Sequence, residues 1–272
     1  MTAQRPRPSA RLMPGEALVW AGDYRFAAMQ HVRSWFDRRP PSLTGPADAR
    51  VHVVLVPGVV ERWHFMEPLA KHLVHAGHAV RFVPELDRNL APVLESAPIV
   101  RDVVDRVAAE HPHARIVLVG HSKGGLIGKR VLVDRALEPD MPQPDGLVAL
   151  ATPFAGSARA RFIPGTWVRE LDASSEVLLA LAAERVADAR IRVVLPRIDP
   201  HIPGNEIPEG MQGVRLRASG HFRPLATREA AEAVLDAIRA LTSDERPAPG
   251  AELREAVRDA ADDAEQGGTA DR

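Results

Sequence analysis

The stretch RIVLVGHSKGGLIGKRVLV, residues 115–133, constrains the fold more than any other part of the sequence. A continuous apolar run ends at Gly120, a serine follows two residues later, and a second apolar run at helical spacing begins after Gly124. The first pattern is typical of a strand buried on both faces, and the second of a helix. The stretch therefore predicts a strand, a sharp turn that contains Ser122, and a helix.

The alternation of strand and helix continues along most of the chain. Short runs rich in β-branched residues are separated by longer segments with helical spacing, a pattern that indicates right-handed crossovers between parallel strands. We therefore predict an α/β fold with a mainly parallel sheet of about six strands and helices on both faces. The strands are predicted at 51–58, 78–86, 114–120, 145–156, 189–199 and 213–220, and the helices at 65–77, 97–112, 124–136, 174–188 and 227–241.

The two ends of the chain differ in composition from this alternating part. Residues 1–50 are interpreted as an N-terminal arm, with a helix predicted from Val19 to Phe36 by the spacing of its apolar residues. Residues 51–242 form the predicted α/β domain. Residues 243–272 are polar, acidic and interrupted by Pro and Gly, so we expect a disordered tail.

Composition excludes several classes of function. The chain has no cysteine, which excludes disulfides, thiolate metal sites and a catalytic thiol. A formal net charge of −1 gives no electrostatic reason to expect nucleic-acid binding. The N-terminus lacks the apolar core of a secretory signal, and no apolar run reaches the roughly 18 residues of a membrane-spanning helix. We therefore expect a cytoplasmic protein without stable membrane insertion; its oligomeric state is left open.

The turn Gly120-His121-Ser122-Lys123-Gly124, called the serine turn below, fits the pattern G-x-S-x-G. In that pattern the glycines relieve crowding, so that a serine hydroxyl projects from a strained bend between a strand and a helix. Functional residues of open parallel sheets lie at the carboxyl ends of the strands, which is where this serine is predicted. Ser122 is therefore a candidate nucleophile.

A serine hydroxyl needs a histidine that takes its proton and a carboxylate that holds this histidine. In one chain order of such triads the acid follows the serine and the histidine comes last, each after a strand. Asp199 follows the fifth predicted strand and His221 the sixth, so they are the predicted acid and base. The alternatives are His121 and His201 for the base, and Asp172, Glu176 and Glu206 for the acid.

Two backbone N–H groups are predicted to bind the oxyanion of the transition state. One belongs to Lys123, the residue after the candidate nucleophile. The other is expected in the loop after the first strand, where Val59 follows Pro57-Gly58 and Val60 is the neighbouring alternative. A plain turn that ends the strand is the other interpretation of Pro57-Gly58.

Five segments remain to be placed: VVLVPG, GHSKGG, LATPFAGS, RIDPHIPG and SGHF. With them the sequence resembles the α/β-hydrolase superfamily, and within it the bacterial triacylglycerol lipases and esterases. The resemblance covers about residues 50–242 and implies an α/β-hydrolase fold with a short cap at 155–190, after the fourth strand. It also implies a serine carboxylester hydrolase that works through an acyl-enzyme on a small-molecule or lipid ester, without metal or cofactor.

Three positions depart from the pattern of that group. Pro57-Gly58 stands where those lipases have His-Gly, Phe154 where they usually have His, and Lys123 where Met or Gln is common. None of these changes removes the N–H of Val59 or of Lys123, the two predicted donors. The Lys123 side chain could reach an anionic part of a substrate, or it could pair with a carboxylate of the protein.

Four aromatic residues are candidates for the substrate pocket, with packing in the core as the alternative interpretation. They are Trp63, Phe154, Phe162 and Trp167. Thioester hydrolysis or acyl transfer would use the same three residues, and a non-catalytic binding module on the same fold is a third hypothesis. The acyl chain length is not determined by the sequence.

Overall fold

The computed structural model describes residues 14–37, 39–41, 45–46, 48–160 and 165–243. Six parallel strands form one sheet in the order β2-β1-β3-β4-β5-β6. Each strand overlaps one predicted strand, so the prediction of a mainly parallel sheet of about six strands is confirmed. The strands are β1 (Val51–Val56), β2 (Ala79–Phe82), β3 (Arg115–His121), β4 (Gly146–Leu150), β5 (Ile191–Leu195) and β6 (Gln212–Arg215).

The four central strands are almost entirely buried, which explains their continuous apolar sequences. Successive side chains of a strand point to opposite faces of the sheet. Accordingly, Val54 and Val56 of β1 pack into one hydrophobic cluster, and Val53 and Leu55 pack into another. The sheet therefore has a core on each face.

Helices cover both faces, as predicted. Helices α3, α4 and α6 supply apolar side chains to one cluster, and α1, α2 and α7 to the other. The short helix α5 lies between β4 and α6. The helices are α1 (Pro14–Phe36), α2 (Glu67–His75), α3 (Val93–Glu110), α4 (Lys123–Ala136), α5 (Thr166–Arg169), α6 (Glu176–Ala183) and α7 (Arg228–Leu241).

Strand β2 is shorter than the predicted strand at 78–86. It ends at Phe82, and a 3-10 turn follows at Pro84–Leu86. Proline has no N–H to donate to a neighbouring strand, so Pro84 ends the pairing that the apolar residues alone would have continued.

Helix α1 belongs to the predicted arm and begins at Pro14, five residues before the predicted start. Proline suits the first turn of a helix, because an N–H there has no partner within the helix. Phe26 and Ala27 are buried and join α1 to the core beside α2 and α7. Residues 1–13 and 244–272, which include nearly all of the predicted tail, lie outside the described residues.

The segment predicted as a cap, 155–190, is described except for residues 161–164. Leu178 and Leu181 of α6 pack into the hydrophobic core. In the part of the chain that the structure describes, no helix combines the length and the apolar character needed to cross a membrane.

Candidate active site

Ser122 lies between β3 and α4 in a strained backbone conformation, with φ 51° and ψ −121°. Non-glycine residues rarely adopt a positive φ, and such strain costs on the order of 1–3 kcal/mol. Hydrogen bonds hold the bend: the Ser122 N–H donates to the carbonyl oxygen of Leu150 at 2.9 Å, and the Gly125 N–H donates to that of Ser122 at 3.0 Å. The hydrogen bonds to β4 and within the first turn of α4 therefore maintain the strained conformation.

The two glycines of the serine turn are needed because backbones approach closely there. A Cβ on Gly120 would lie 2.5 Å from the backbone of Gly124, and a Cβ on Gly124 would lie 2.1 Å from the carbonyl oxygen of Val56. Any side chain at either position would push α4 away from β3 or β1. The spacing of the motif thus has a steric cause in this fold.

Asp199 and His221 are hydrogen-bonded to each other. His221 Nδ1 lies 2.9 Å from Oδ2 of Asp199, and both residues are buried. The other carboxylate oxygen, Oδ1, accepts the backbone N–H groups of His201 at 2.8 Å and of Ile202 at 3.0 Å. The loops after β5 and β6 therefore meet at this pair, beyond the carboxyl ends of the strands.

The pair shifts the pKa of both members. Burial by itself would lower the pKa of His221, but the charge of Asp199 and the hydrogen bond to it raise this pKa above its ordinary value. Burial would raise the pKa of Asp199, but His221 and the two backbone donors bring this pKa below its ordinary value. The arrangement favours an ionised carboxylate that stabilises an imidazolium.

Ser122 and His221 line the same cavity, which has a volume of about 170 Å³. Most other lining residues are apolar, so the cavity suits an uncharged group of small size. The apolar lining residues include Val59, Val60, Pro153, Trp167, Val168 and Leu171.

The loop after β1 borders this cavity through Val59 and Val60. Its neighbouring N–H groups are engaged: that of Gly58 donates to Glu61 Oε2 at 2.7 Å, and that of Glu61 to the carbonyl oxygen of Gly58 at 3.3 Å. Val60 has φ 65°, which is unusual for a β-branched residue. On the other side, α4 begins at Lys123, whose N–H lies in the first helical turn and has no intrahelical acceptor.

The alternative bases have other surroundings. His121 Nδ1 lies 2.9 Å from Glu61 Oε2, and His121 Nε2 lies 2.9 Å from the carbonyl oxygen of His221, so both of its ring nitrogens are engaged. The His201 ring lies 4.8 Å from the His221 ring. Burial and then the neighbouring His221 lower the pKa of His201 to about 3, which keeps this imidazole neutral.

The alternative acids have other surroundings. Asp172 accepts hydrogen bonds from the backbone N–H of Ser174 at 3.0 Å and from its hydroxyl at 2.7 Å. Glu176 and Glu206 are exposed, and Glu206 borders cavities other than the one at Ser122. Of the four candidate acids, Asp199 is the one bonded to the predicted base.

The side chain of Lys123 turns away from the cavity. Its Nζ lies 2.7 Å from Glu170 Oε1 and also donates to the carbonyl oxygen of Ala91. Burial lowers the pKa of Lys123, and Glu170 opposes this shift. Of the two interpretations of this lysine, the structure favours the pairing with a carboxylate of the protein.

The four predicted pocket residues have different locations. Trp167 lines the cavity at Ser122. Phe154 lines a separate cavity of about 950 Å³, and Trp63 is buried with its ring stacked on that of His64. Phe162 lies outside the described residues.

Sequence reasoning missed two buried acids beside the site, Glu61 and Asp23. Glu61 binds His121, as described above, and Asp23 binds the backbone of the His221 loop. A signal for Asp23 exists: it lies three and four residues before the buried Phe26 and Ala27, so a carboxylate occupies the apolar face of α1. Among the described residues, no cluster of three or more His, Asp or Glu side chains is placed to hold a metal ion.

Comparison with known proteins shows similarity in structure only. No family model matches the sequence, and no curated protein does. The structure is similar to a metagenomic carboxyl esterase, with a TM-score of 0.53, 19% identity, and coverage of 76% of this chain and 79% of the esterase. It is also similar to the mature form of a Bacillus licheniformis lipase, with a TM-score of 0.51, 13% identity, and coverage of 75% of this chain and 96% of the lipase.

A carboxylesterase structure from the thaumarchaeon Nitrososphaera gargenis gives a TM-score of 0.50 at 13% identity, over 74% of this chain and 93% of the esterase. Similarity at these identities concerns the fold. The parallel six-stranded sheet, the serine turn after β3 and these three structures together show that the chain has the α/β-hydrolase fold.

Proposed function

We propose that the protein is a serine carboxylester hydrolase with Ser122 as nucleophile, His221 as general base and Asp199 as the acid that orients it. The observation that supports this most is the Asp199–His221 hydrogen bond of 2.9 Å beside a cavity that His221 shares with the strained Ser122. The three residues follow three different strands, so their convergence is a product of the fold. Carboxylesterases and a lipase share this fold, which supports a hydrolase.

In the first half of the reaction, Ser122 Oγ attacks the ester carbonyl carbon while His221 Nε2 takes its proton. The Asp199 carboxylate stabilises the imidazolium that forms. The negative oxygen of the tetrahedral intermediate is bound by the backbone N–H groups of Val59 and Lys123, and one such donor typically contributes about 10²–10³ in rate. The intermediate then collapses: the bond to the alcohol oxygen breaks, and His221 gives its proton to that oxygen.

The second half repeats these steps with water. His221 Nε2 takes a proton from a water molecule, which attacks the acyl group on Ser122. A second tetrahedral intermediate uses the same backbone donors. It collapses to the free carboxylic acid as the proton returns to Ser122 Oγ, so the enzyme is regenerated.

The size of the cavity supports a short acyl group. A dry protein cavity of about 150 Å³ holds a molecule the size of benzene, with six carbons. The cavity at Ser122 has about 170 Å³ and a mostly apolar lining. We therefore propose small aliphatic esters, rather than long-chain lipids, as the substrate class.

A panel of substrates tests this proposal. Initial rates are measured with p-nitrophenyl acetate, butyrate, octanoate and palmitate, and with acetyl- and butyryl-CoA, for the wild type and for Ser122→Ala. We expect the highest kcat/KM with acetate or butyrate and no turnover by the variant. Faster cleavage of the CoA thioesters would show that the substrate is a thioester and not an ester. No turnover of any compound would contradict the proposal that the protein is a hydrolase.

A further inference from the structure

Asp23 of α1 binds the loop that holds the proposed base. Its side chain is fully buried, although it lies 198 residues before His221 in the sequence. Oδ2 accepts the backbone N–H of His221 at 2.9 Å, and Oδ1 accepts those of Phe222 and Arg223, both at 2.8 Å. One carboxylate therefore binds three consecutive N–H groups that begin at the base itself.

The loop is shaped to admit this carboxylate. Gly220, just before the base, has φ 118°, a conformation that side-chain-bearing residues rarely adopt. A Cβ at that position would lie 2.6 Å from Asp23 Oδ1. Glycine is therefore needed both for the backbone conformation and for the close approach of Asp23.

Helix α1 also contacts the loop that contains the proposed acid. The rings of Trp20 and Tyr24 lie 5.6 Å and 5.5 Å from that of His201. The backbone N–H of His201 in turn donates to Asp199 Oδ1 at 2.8 Å. One helix from the N-terminal arm thus contacts the loops of both the acid and the base.

The backbone carbonyl group of the proposed base is bound by a different side chain. The carbonyl oxygen of His221 lies 2.9 Å from His121 Nε2, and His121 is bound to the buried Glu61. Since the His221 N–H binds Asp23, both polar groups of this residue's backbone are bound to buried side chains. The remaining freedom of the residue is rotation of its side chain, which Asp199 restricts.

We propose that Asp23 is a positioning residue for His221. By binding the backbone of residues 221–223 it sets the position from which the imidazole reaches Ser122 and Asp199. Asp23 does not line the cavity at Ser122, so it acts through His221 and not by contact with the substrate. This inference rests on the proposed function, because it gives His221 the role of base.

The test compares Asp23→Ala and Asp23→Asn with a matched control, Gln30→Ala. Gln30 lies seven residues later on the same face of α1 and is equally buried, but it binds Arg33 instead of the His221 loop. All variants are assayed well below their melting temperatures for kcat and KM on the best ester. The low-field proton resonance of His221 Nδ1, which reports the hydrogen bond to Asp199, is recorded by NMR without substrate.

We expect Asp23→Ala to lower kcat about 10²-fold, because a misplacement of about 1 Å at a reacting group costs that much. Asp23→Asn keeps one oxygen acceptor and should cost about tenfold. KM should change less than kcat in both, and the Nδ1 resonance should shift or broaden. Gln30→Ala should keep the wild-type kcat and resonance even where it lowers the melting temperature.

Folded Asp23 variants with a kcat within twofold of wild type and an unchanged resonance would overturn the proposal. If Asp23→Ala does not fold, Asp23→Asn supplies the same comparison. A wild type that hydrolyses no ester would contradict the proposed function, and the resonance would still show whether Asp23 positions His221.

Discussion

The Nδ1 atom of His221 lies 2.9 Å from Oδ2 of Asp199, whose other oxygen accepts the backbone N–H of His201 at 2.8 Å. A carboxylate bonded through both oxygens has a fixed orientation, and it therefore fixes the plane and the tautomer of the imidazole bound to it. With the proton of the neutral ring on Nδ1, Nε2 is the nitrogen that accepts the proton of Ser122 in the proposed mechanism.

Asp199→Asn should lower kcat by about 10⁴, because the amide holds the wrong tautomer of His221. The stability of the protein should change little, since the remaining carbonyl oxygen can still accept the N–H groups of His201 and Ile202. Steady-state kinetics and thermal unfolding of the purified variant measure both quantities.

Asp172→Asn and Glu206→Gln are the controls for this prediction. Asp172 binds Ser174 and Glu206 is exposed, so each variant should lose less than about tenfold in kcat. A loss of several orders of magnitude in Glu206→Gln, with Asp199→Asn active, would show that the acid has been assigned to the wrong residue.

The pH dependence of kcat/KM should have its acidic limb above pH 6.5, the ordinary pKa of histidine. A general base must be neutral to accept a proton, and Asp199 raises the pKa of His221, so a higher pH is needed to deprotonate it. His201 should add no inflection near neutrality, because its pKa of about 3 keeps it neutral there. Rates of ester hydrolysis between about pH 5 and pH 9 test this.

The same profile measured with Asp199→Asn supplies the control. Removal of the carboxylate removes the main cause that raises the pKa of His221, so the residual activity should have its acidic limb at lower pH. An acidic limb of the wild type at or below pH 6.5 would contradict the claim that pairing with Asp199 raises the pKa of His221.

Lys123→Met should destabilise the protein and leave catalysis nearly intact. Removal of one member of a buried ion pair typically costs about 3–5 kcal/mol, and here Glu170, 12% exposed, would lose its cation. In the proposed mechanism the oxyanion is bound by the backbone N–H of residue 123, which the substitution keeps. Urea unfolding should show the lower free energy of unfolding, and the double variant Lys123→Met/Glu170→Gln should recover part of this stability. A selective loss of activity on esters with a carboxylate group would show instead that Lys123 binds substrate.

Trp167→Ala should move the substrate preference toward longer acyl chains. The indole of Trp167 lines the cavity at Ser122, so its truncation enlarges the space for the acyl group. The ratio of kcat/KM for p-nitrophenyl octanoate to that for butyrate should rise above the wild-type ratio. Phe154→Ala, in the separate cavity of about 950 Å³, should leave this ratio unchanged, and an equal shift in both variants would contradict the assigned pocket.

The sequence predicted the sheet well because buried parallel strands have continuous apolar runs. Val51–Val56 and Arg115–His121 are examples, and both lie where they were expected. The positions of Asp199 and His221 followed from chain order, since the loops after neighbouring parallel strands meet at one edge of the sheet.

Contacts between distant segments could not be predicted in the same way. The binding of Asp23 to the backbone of residues 221–223 joins segments 198 to 200 residues apart, and no local pattern specifies such a pairing. The Lys123 side chain points toward Glu170, its ion-pair partner. The spacing of residues around Lys123 gives no sign of this distant partner. The locations of Phe154 and Trp63 could not be predicted, because the sequence pattern of an apolar residue is the same whether it lines a site or packs elsewhere.

Covalent labelling by a fluorophosphonate, followed by peptide mass spectrometry, tests the central claim most directly, because the reagent reacts with activated serines. The wild type should carry one adduct, on Ser122, and lose its esterase activity in proportion to labelling. Ser122→Ala should fold normally, remain unlabelled and lose about 10⁴–10⁶ in kcat. An adduct on another serine, or a Ser122→Ala variant with more than about a tenth of the wild-type turnover, would contradict Ser122 as the nucleophile.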